Sequence, residues 1–196
     1  MSGQGLFPAE HRALRELHAM TRQLAGHWSR LGDRVGGDVF ALGADAAREL
    51  LGELDERCAA HQLYGFPAAQ GVGANMAGAR GISDLMLERN QAIRGAVLDM
   101  VHVTLLLGYL AELADQRDGA ELAAWHRGWE TRMREIEDAA RAAAVAEGGE
   151  PARAIEPAET GRAGRAGHAV ANGLGTLGEA FDGSPVGRAA RRLKRR

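Results

Sequence analysis

The chain has 196 residues and a mass of 20.8 kDa, with 24 basic and 26 acidic side chains and a formal net charge of -2. A single Cys excludes a disulfide framework and every multi-thiolate metal cluster, and nine aromatics exclude the base-stacking sheets of RNA-recognition modules. At 45% hydrophobic and 26% charged residues, the composition is that of a soluble globular domain, not a collagen-like, mucin-like or wholly disordered chain.

The length suits one domain of about 100–200 residues. Arginine outnumbers lysine 23 to 1, which points to a high-GC, bacterial coding bias. The opening MSGQGLFPAEHR lacks the basic-then-apolar pattern of a secretory signal, so the expected location is the cytoplasm.

In chain order, Leu14, Leu17, Thr21, Leu24, Trp28, Leu31 and Val35 recur at steps of three and four. That spacing predicts one packed stripe of a first helix from Pro8 to about Val35, with Pro8 in the first turn and Gly36-Gly37 as the stop. Asp38 caps a second helix, whose stripe is Phe40, Ala44, Ala47, Leu51, Leu54, Cys58 and His61 before a break at Tyr64-Gly65-Phe66-Pro67. The Gly- and Ala-rich stretch from Tyr64 to Ile82 reads as a connection, a lid or a closely packed short helix. No strand precedes its glycines and no Gly-Lys-Ser/Thr follows, so it matches neither a dinucleotide fingerprint nor a P-loop.

A third helix is expected from about Ser83 to Gln116, with Met86, Ile93, Ala96, Met100, Val103, Leu107, Leu110 and Ala114 in register. Its run from Ala96 to Leu110 is apolar on more than one face, which predicts the most buried element. That run is shorter than the ~20 apolar residues of a membrane span and contains Asp99 and His102. Asp118-Gly119-Ala120-Glu121 resembles a capping box with Asp118 at the N-cap. The fourth helix follows through Leu122, His126, Trp129, Met133, Ile136, Ala140 and Ala143. No stretch shows the period-two alternation of strands.

Beyond Ala146 the composition changes. Residues 147–167 are rich in Gly, Pro, Ala, Glu and Arg and read as a disordered linker. Val170, Leu174, Leu177 and Phe181 then outline one apolar face of a short helix, and the chain ends SPVGRAARRLKRR. Charge is unevenly spread: 15 basic and 20 acidic groups over 1–146, 3 and 6 over 147–184, and 6 basic with none acidic over 185–196. The expected architecture is therefore mainly α: an antiparallel, up-down-up-down four-helix bundle over 1–146, a flexible linker over 147–167, and an amphipathic, basic tail over 168–196.

Three readings suit this pattern. A non-catalytic adaptor or assembly protein would bind a protein partner through Val170, Leu174, Leu177 and Phe181, flanked by Arg188, Arg191 and Arg192. Its exposed stripes could also close a homo-oligomer. The alternative is a metal- or haem-binding bundle, with possible oxidoreductase activity, using His18, Cys58, His61, His102 and His126 as inward ligands. Glu-x-x-His, His-x-x-x-His and Cys-x-x-Cys-His are all absent from the sequence, which favours structural histidines and no bound metal or haem. A third reading makes residues 188–196 a tether to nucleic acid or an anionic membrane, since six cations attract polyanions by charge alone. Arg89, on the core stripe of the third helix, is expected to pair with an acid from another helix. Cys58 with His61 is the nearest approach to a nucleophile and base, at a spacing common in any helix, so catalysis is not expected.

Overall fold

In a computed structural model of the chain, residues 5–60 and 87–159 are described, together with positions 161, 162, 165–167 and 169. The protein is mainly helical, and no strand occurs among the described residues. Four long helices, α1 (Pro8–Val35), α2 (Asp38–Ala60), α3 (Arg89–Asp115) and α4 (Ala120–Ala146), are followed by a 3-10 turn (Glu147–Gly149) and a short α5 (Pro151–Ala154).

The predicted stripes become the core. All seven stripe residues of α1 are buried, as are Phe40, Ala44, Ala47, Leu54 and Cys58 of α2. Ile93, Ala96, Met100, Val103, Leu107, Leu110 and Ala114 of α3 join Leu122, His126, Trp129, Met133, Ile136 and Ala140 of α4. Trp28 sits at the centre, fully buried, with its edge toward Phe40 (ring centroids 5.2 Å apart) and its Nε1–H donating to the Ala96 carbonyl at 3.1 Å. Gly43 lets α2 approach it: a Cβ there would lie 2.3 Å from Trp28 Cε3 and 3.4 Å from Ile136 Cγ2. One indole therefore touches or bonds to all the long helices, directly or across this glycine.

The helix directions differ from the up-down-up-down expectation. Glu10, near the start of α1, meets Arg117 just beyond α3, while Val35 at the end of α1 accepts a hydrogen bond from Arg89 at the start of α3. So α1 and α3 are antiparallel. His18 with Asp55 and Gly32 beside Phe40 make α1 and α2 antiparallel too. Likewise Arg89 with Glu147 and Thr104 with Glu137 oppose α3 and α4, and Trp125 with Glu53 and Arg132 with Glu49 oppose α2 and α4. The chain order is up-down-down-up. The end of α2 and the start of α3 therefore lie at opposite ends of the body, about 40 Å apart for a 27-residue helix at 1.5 Å per residue. Short connections do not account for this one link, and each helix still has antiparallel neighbours on both sides.

Three boundaries also shift. α3 begins at Arg89 and not near Ser83: Glu88 is extended, forms an antiparallel bridge with Pro157, and caps the helix with Gln91, whose Oε1 accepts the Glu88 N–H. α4 starts after Gly119, because Asp118 adopts a left-handed φ of 57° and the Gly119 N–H closes back on the Ala114 carbonyl at 2.8 Å. Finally, the first part of the expected linker is ordered on the body. Ala154 and Ala158 are buried, Arg89 N–H donates to the Glu156 carbonyl at 2.8 Å, and Ala158 N–H donates to the Leu87 carbonyl at 3.0 Å. Backbone pairing and an Arg34–Glu159 ion pair at 2.7 Å supply what the poor apolar content could not.

Urea denaturation tests the central packing. Gly43→Ala is expected to cost about 1–3 kcal/mol, because the buried indole cannot yield, and Trp28→Ala about 3–5 kcal/mol. Gly52, where an added Cβ meets nothing within 4 Å, is the control. Gly52→Ala on the same helix is expected to gain up to about 1 kcal/mol.

Candidate functional site

The interior holds an unusual number of polar side chains: Glu10, His18, Thr21, Gln23, His27, Asp99, Thr104, His126 and Glu137 are all buried. Most join one helix to another. His27 Nδ1 donates to Asp99 Oδ2 at 3.0 Å between α1 and α3. Thr104 Oγ1 lies 2.9 Å from Glu137 Oε2 between α3 and α4, and Glu137 also accepts from Arg141 at 2.8 Å. His18 Nε2 is 3.0 Å from Asp55 Oδ1 between α1 and α2.

Both ends of the body are closed by ion pairs. At one end Arg117 Nε donates to both oxygens of Glu10 at 3.0 Å, and Glu10 also accepts the Phe7 N–H at 2.8 Å. At the other, Arg89 forms a two-pronged pair with Glu147 (2.9 and 3.1 Å) and donates to the Val35 carbonyl at 2.8 Å. This is the inter-element pair that the stripe position of Arg89 predicts. Along the α2–α4 seam, Glu53 Oε2 accepts both the Trp125 and Trp129 indole N–H groups, with Arg57 stacked 4.6 Å over Trp125 and Arg132 4.8 Å over Trp129.

The residues expected to act as metal ligands go to separate places. His18 faces Asp55, and His102 lies at the surface, 2.8 Å from Glu16. Cys58 is buried, and burial, with the nearby Asp55 charge, pushes its thiol up to about 11, which keeps it protonated at neutral pH. His126 is fully buried on α4, its ring set edge-on to Trp125 at 4.8 Å, and neither ring nitrogen has a hydrogen-bond partner among the described residues. Burial, then the cations Arg57 and Arg117, hold it down to about 3, so it is neutral at physiological pH. Among the described residues no three His, Cys, Asp or Glu side chains are grouped to hold a metal ion. His61 lies outside the described residues, as do Val170, Leu174, Leu177, Phe181, Arg188, Arg191 and Arg192.

The surface holds a feature that the stripe reading misjudges. The second apolar face of α3 is not buried: Leu98 is 65% exposed, Leu105 64% and Tyr109 50%. Beside Leu98 a groove of about 540 Å³ runs between α3 and α4, lined by Gln91, Arg94, Val97, Arg141, Ala144 and Val145. Although its uninterrupted apolar run is short, α3 as formed is long and apolar enough to cross a membrane, but 56% of that apolar window is buried inside the body. The signal was present in the sequence as apolarity on two faces; the burial assigned to the second face was wrong.

Protein-family models, curated proteins and solved structures were all compared with the chain, and none matches it.

The isolation of His126 has a pH consequence. Its folded value of about 3 lies below the ordinary 6.5, so the unfolded chain takes up the proton first as pH falls. The associated stability is complete above pH 6.5 and is lost at roughly 1.4 kcal/mol per pH unit below it. His126→Leu is expected to flatten the fall in Tm between pH 6.5 and 5, and to raise Tm at pH 7 by removing an unbonded buried imidazole. Thermal melts across that range decide it; an unchanged slope in the variant refutes the assignment.

Proposed function

We propose that this chain is a non-catalytic adaptor or assembly protein of the cytoplasm, a four-helix bundle that presents residues 168–196 to a protein partner. In this reading Val170, Leu174, Leu177 and Phe181 form the apolar docking face, and Arg188, Arg191 and Arg192 add electrostatic steering. One observation carries it: the segment leading to the tail is pinned to one end of the body. Ala158 is buried against it, Glu159 is paired with Arg34, and Asn90 Nδ2 donates to the Ala154 carbonyl at 2.6 Å. A fixed point of departure shortens the tether of the proposed docking face by the residues held on the body. That reduces the entropy lost on binding. The buried polar groups support the same reading, since most are engaged in helix-to-helix pairs.

The test compares the full chain with a 1–167 truncation in pull-downs from the source cell, followed by mass spectrometry and circular dichroism. Loss of the specific partner at unchanged helicity is the expected result. A partner retained by the truncated chain overturns the reading. Binding that is replaced by nucleic acid or anionic vesicles, and that weakens steeply with salt, would instead favour the polyanion tether.

A second reading, a metal- or haem-binding bundle, is favoured by the unbonded nitrogens of buried His126 alone. Metal analysis and a visible spectrum of the purified protein test it: stoichiometric metal or a Soret band that His126→Leu abolishes would establish it.

A further inference from the structure

The outward face of α3 reads, from one end to the other, Arg94, Leu98, Val101 with His102, Leu105, Gly108 with Tyr109, and Glu112. Every one of these residues is exposed or half-buried, and the interval between them is three or four, so they form one continuous stripe along the helix. A helix apolar on all sides is normally covered on all sides. The inner half of α3 is covered by α1 and α4, whereas Leu98, Leu105 and Tyr109 remain open.

The stripe is complementary to itself when reversed. Its cation, Arg94, stands at the N-terminal end and its anion, Glu112, which is 73% exposed and only 3.8 Å from Arg127, at the C-terminal end, with Leu98, Leu105 and Tyr109 between them. Turned about a two-fold axis near Val103, the stripe sets Arg94 against Glu112, Leu98 against Tyr109, and Val101 and His102 against Leu105. The groove beside Leu98 suits the same alignment: Val97, Ala144 and Val145 line it, Arg94 and Arg141 add two cations, and its volume of about 540 Å³ exceeds that of a phenol ring. Tyr109 of a second copy would enter there, bringing Glu112, one turn further along, toward those two arginines. We propose that this face of α3 is a two-fold interface on which a second copy of the chain packs antiparallel, with Tyr109 of each copy in the α3–α4 groove of the other.

The inference is independent of the tail reading and adds to it, since a dimer presents two tails and so binds a repetitive partner with higher avidity. The full chain is expected to sediment as a dimer at micromolar concentration, twice its 20.8 kDa mass. Leu105→Glu, at an exposed site near the axis, is expected to give a monomer with unchanged helicity. Arg94→Glu alone and Glu112→Arg alone are each expected to raise the dimer dissociation constant about tenfold or more, by placing like charges face to face. The double variant Arg94→Glu/Glu112→Arg restores the pairing in reverse and is expected to recover the dimer.

A monomeric full chain overturns the proposal, and two further measurements then say what covers the stripe. A 1–167 chain that dimerises would assign it to the protein's own tail, and flotation with phosphatidylcholine vesicles would assign it to a membrane. A dimer that survives Leu105→Glu, or one that the double charge reversal fails to rescue, also overturns it. Partner binding lost on truncation to 1–167 while the dimer persists separates this interface from the docking tail.

Discussion

The structure depends on the seat of one side chain. Trp28 fills the space where four helices meet, and it does so only because Gly43 omits the Cβ that would strike its ring. Its indole N–H would be costly to bury unbonded, and the Ala96 carbonyl on α3 satisfies it. This single contact fixes how far α2 can approach α1 and at what height α3 must stand beside them. Phe40, Met133 and Ile136 fill the remaining space from the neighbouring helices.

Around that seat, polar pairs decide the alignment of each pair of helices. An apolar stripe tolerates sliding, since one leucine can replace another at the next turn. A pair such as His27 with Asp99, or Arg117 with Glu10, does not. Moving either helix by one turn would strand a buried polar or charged group, at a cost of several kcal/mol for a buried charge. The pairs are also distributed: one set near each end of the body and others between. The α2–α4 seam is the most thinly packed of the four, and Glu53 with the two indoles and the stacked arginines bridges it.

Much of the fold was legible because helix packing writes itself at intervals of three and four. The stripes of α1, α3 and α4 were read almost residue for residue, and Arg89 on a core position announced a buried partner. The functional residues were less legible. His18, Cys58, His102 and His126 share inward or edge positions along their helices, yet spacing along one helix says nothing about which neighbour it faces. In the folded chain His18 meets Asp55, His102 meets Glu16, and the ring nitrogens of His126 find no hydrogen-bond partner among the described residues. Asp99 stands one helical turn before His102 in the sequence, yet it is bonded to His27, 72 residues earlier.

By itself the sequence determined that this is a helical protein, where its helices lie, and which face of each turns inward, because those properties follow from local periodicity and capping. Only tertiary structure decided the up-down-down-up order, since helix direction is set by long-range pairs such as Glu10 with Arg117 and Val35 with Arg89. It also decided that residues 150–159 lie on the body, through backbone bonds that any sequence can make. And it decided that the second apolar face of α3 stays open, because burial depends on how many neighbours a helix acquires, and among the described residues α3 acquires long neighbours on its inner side alone.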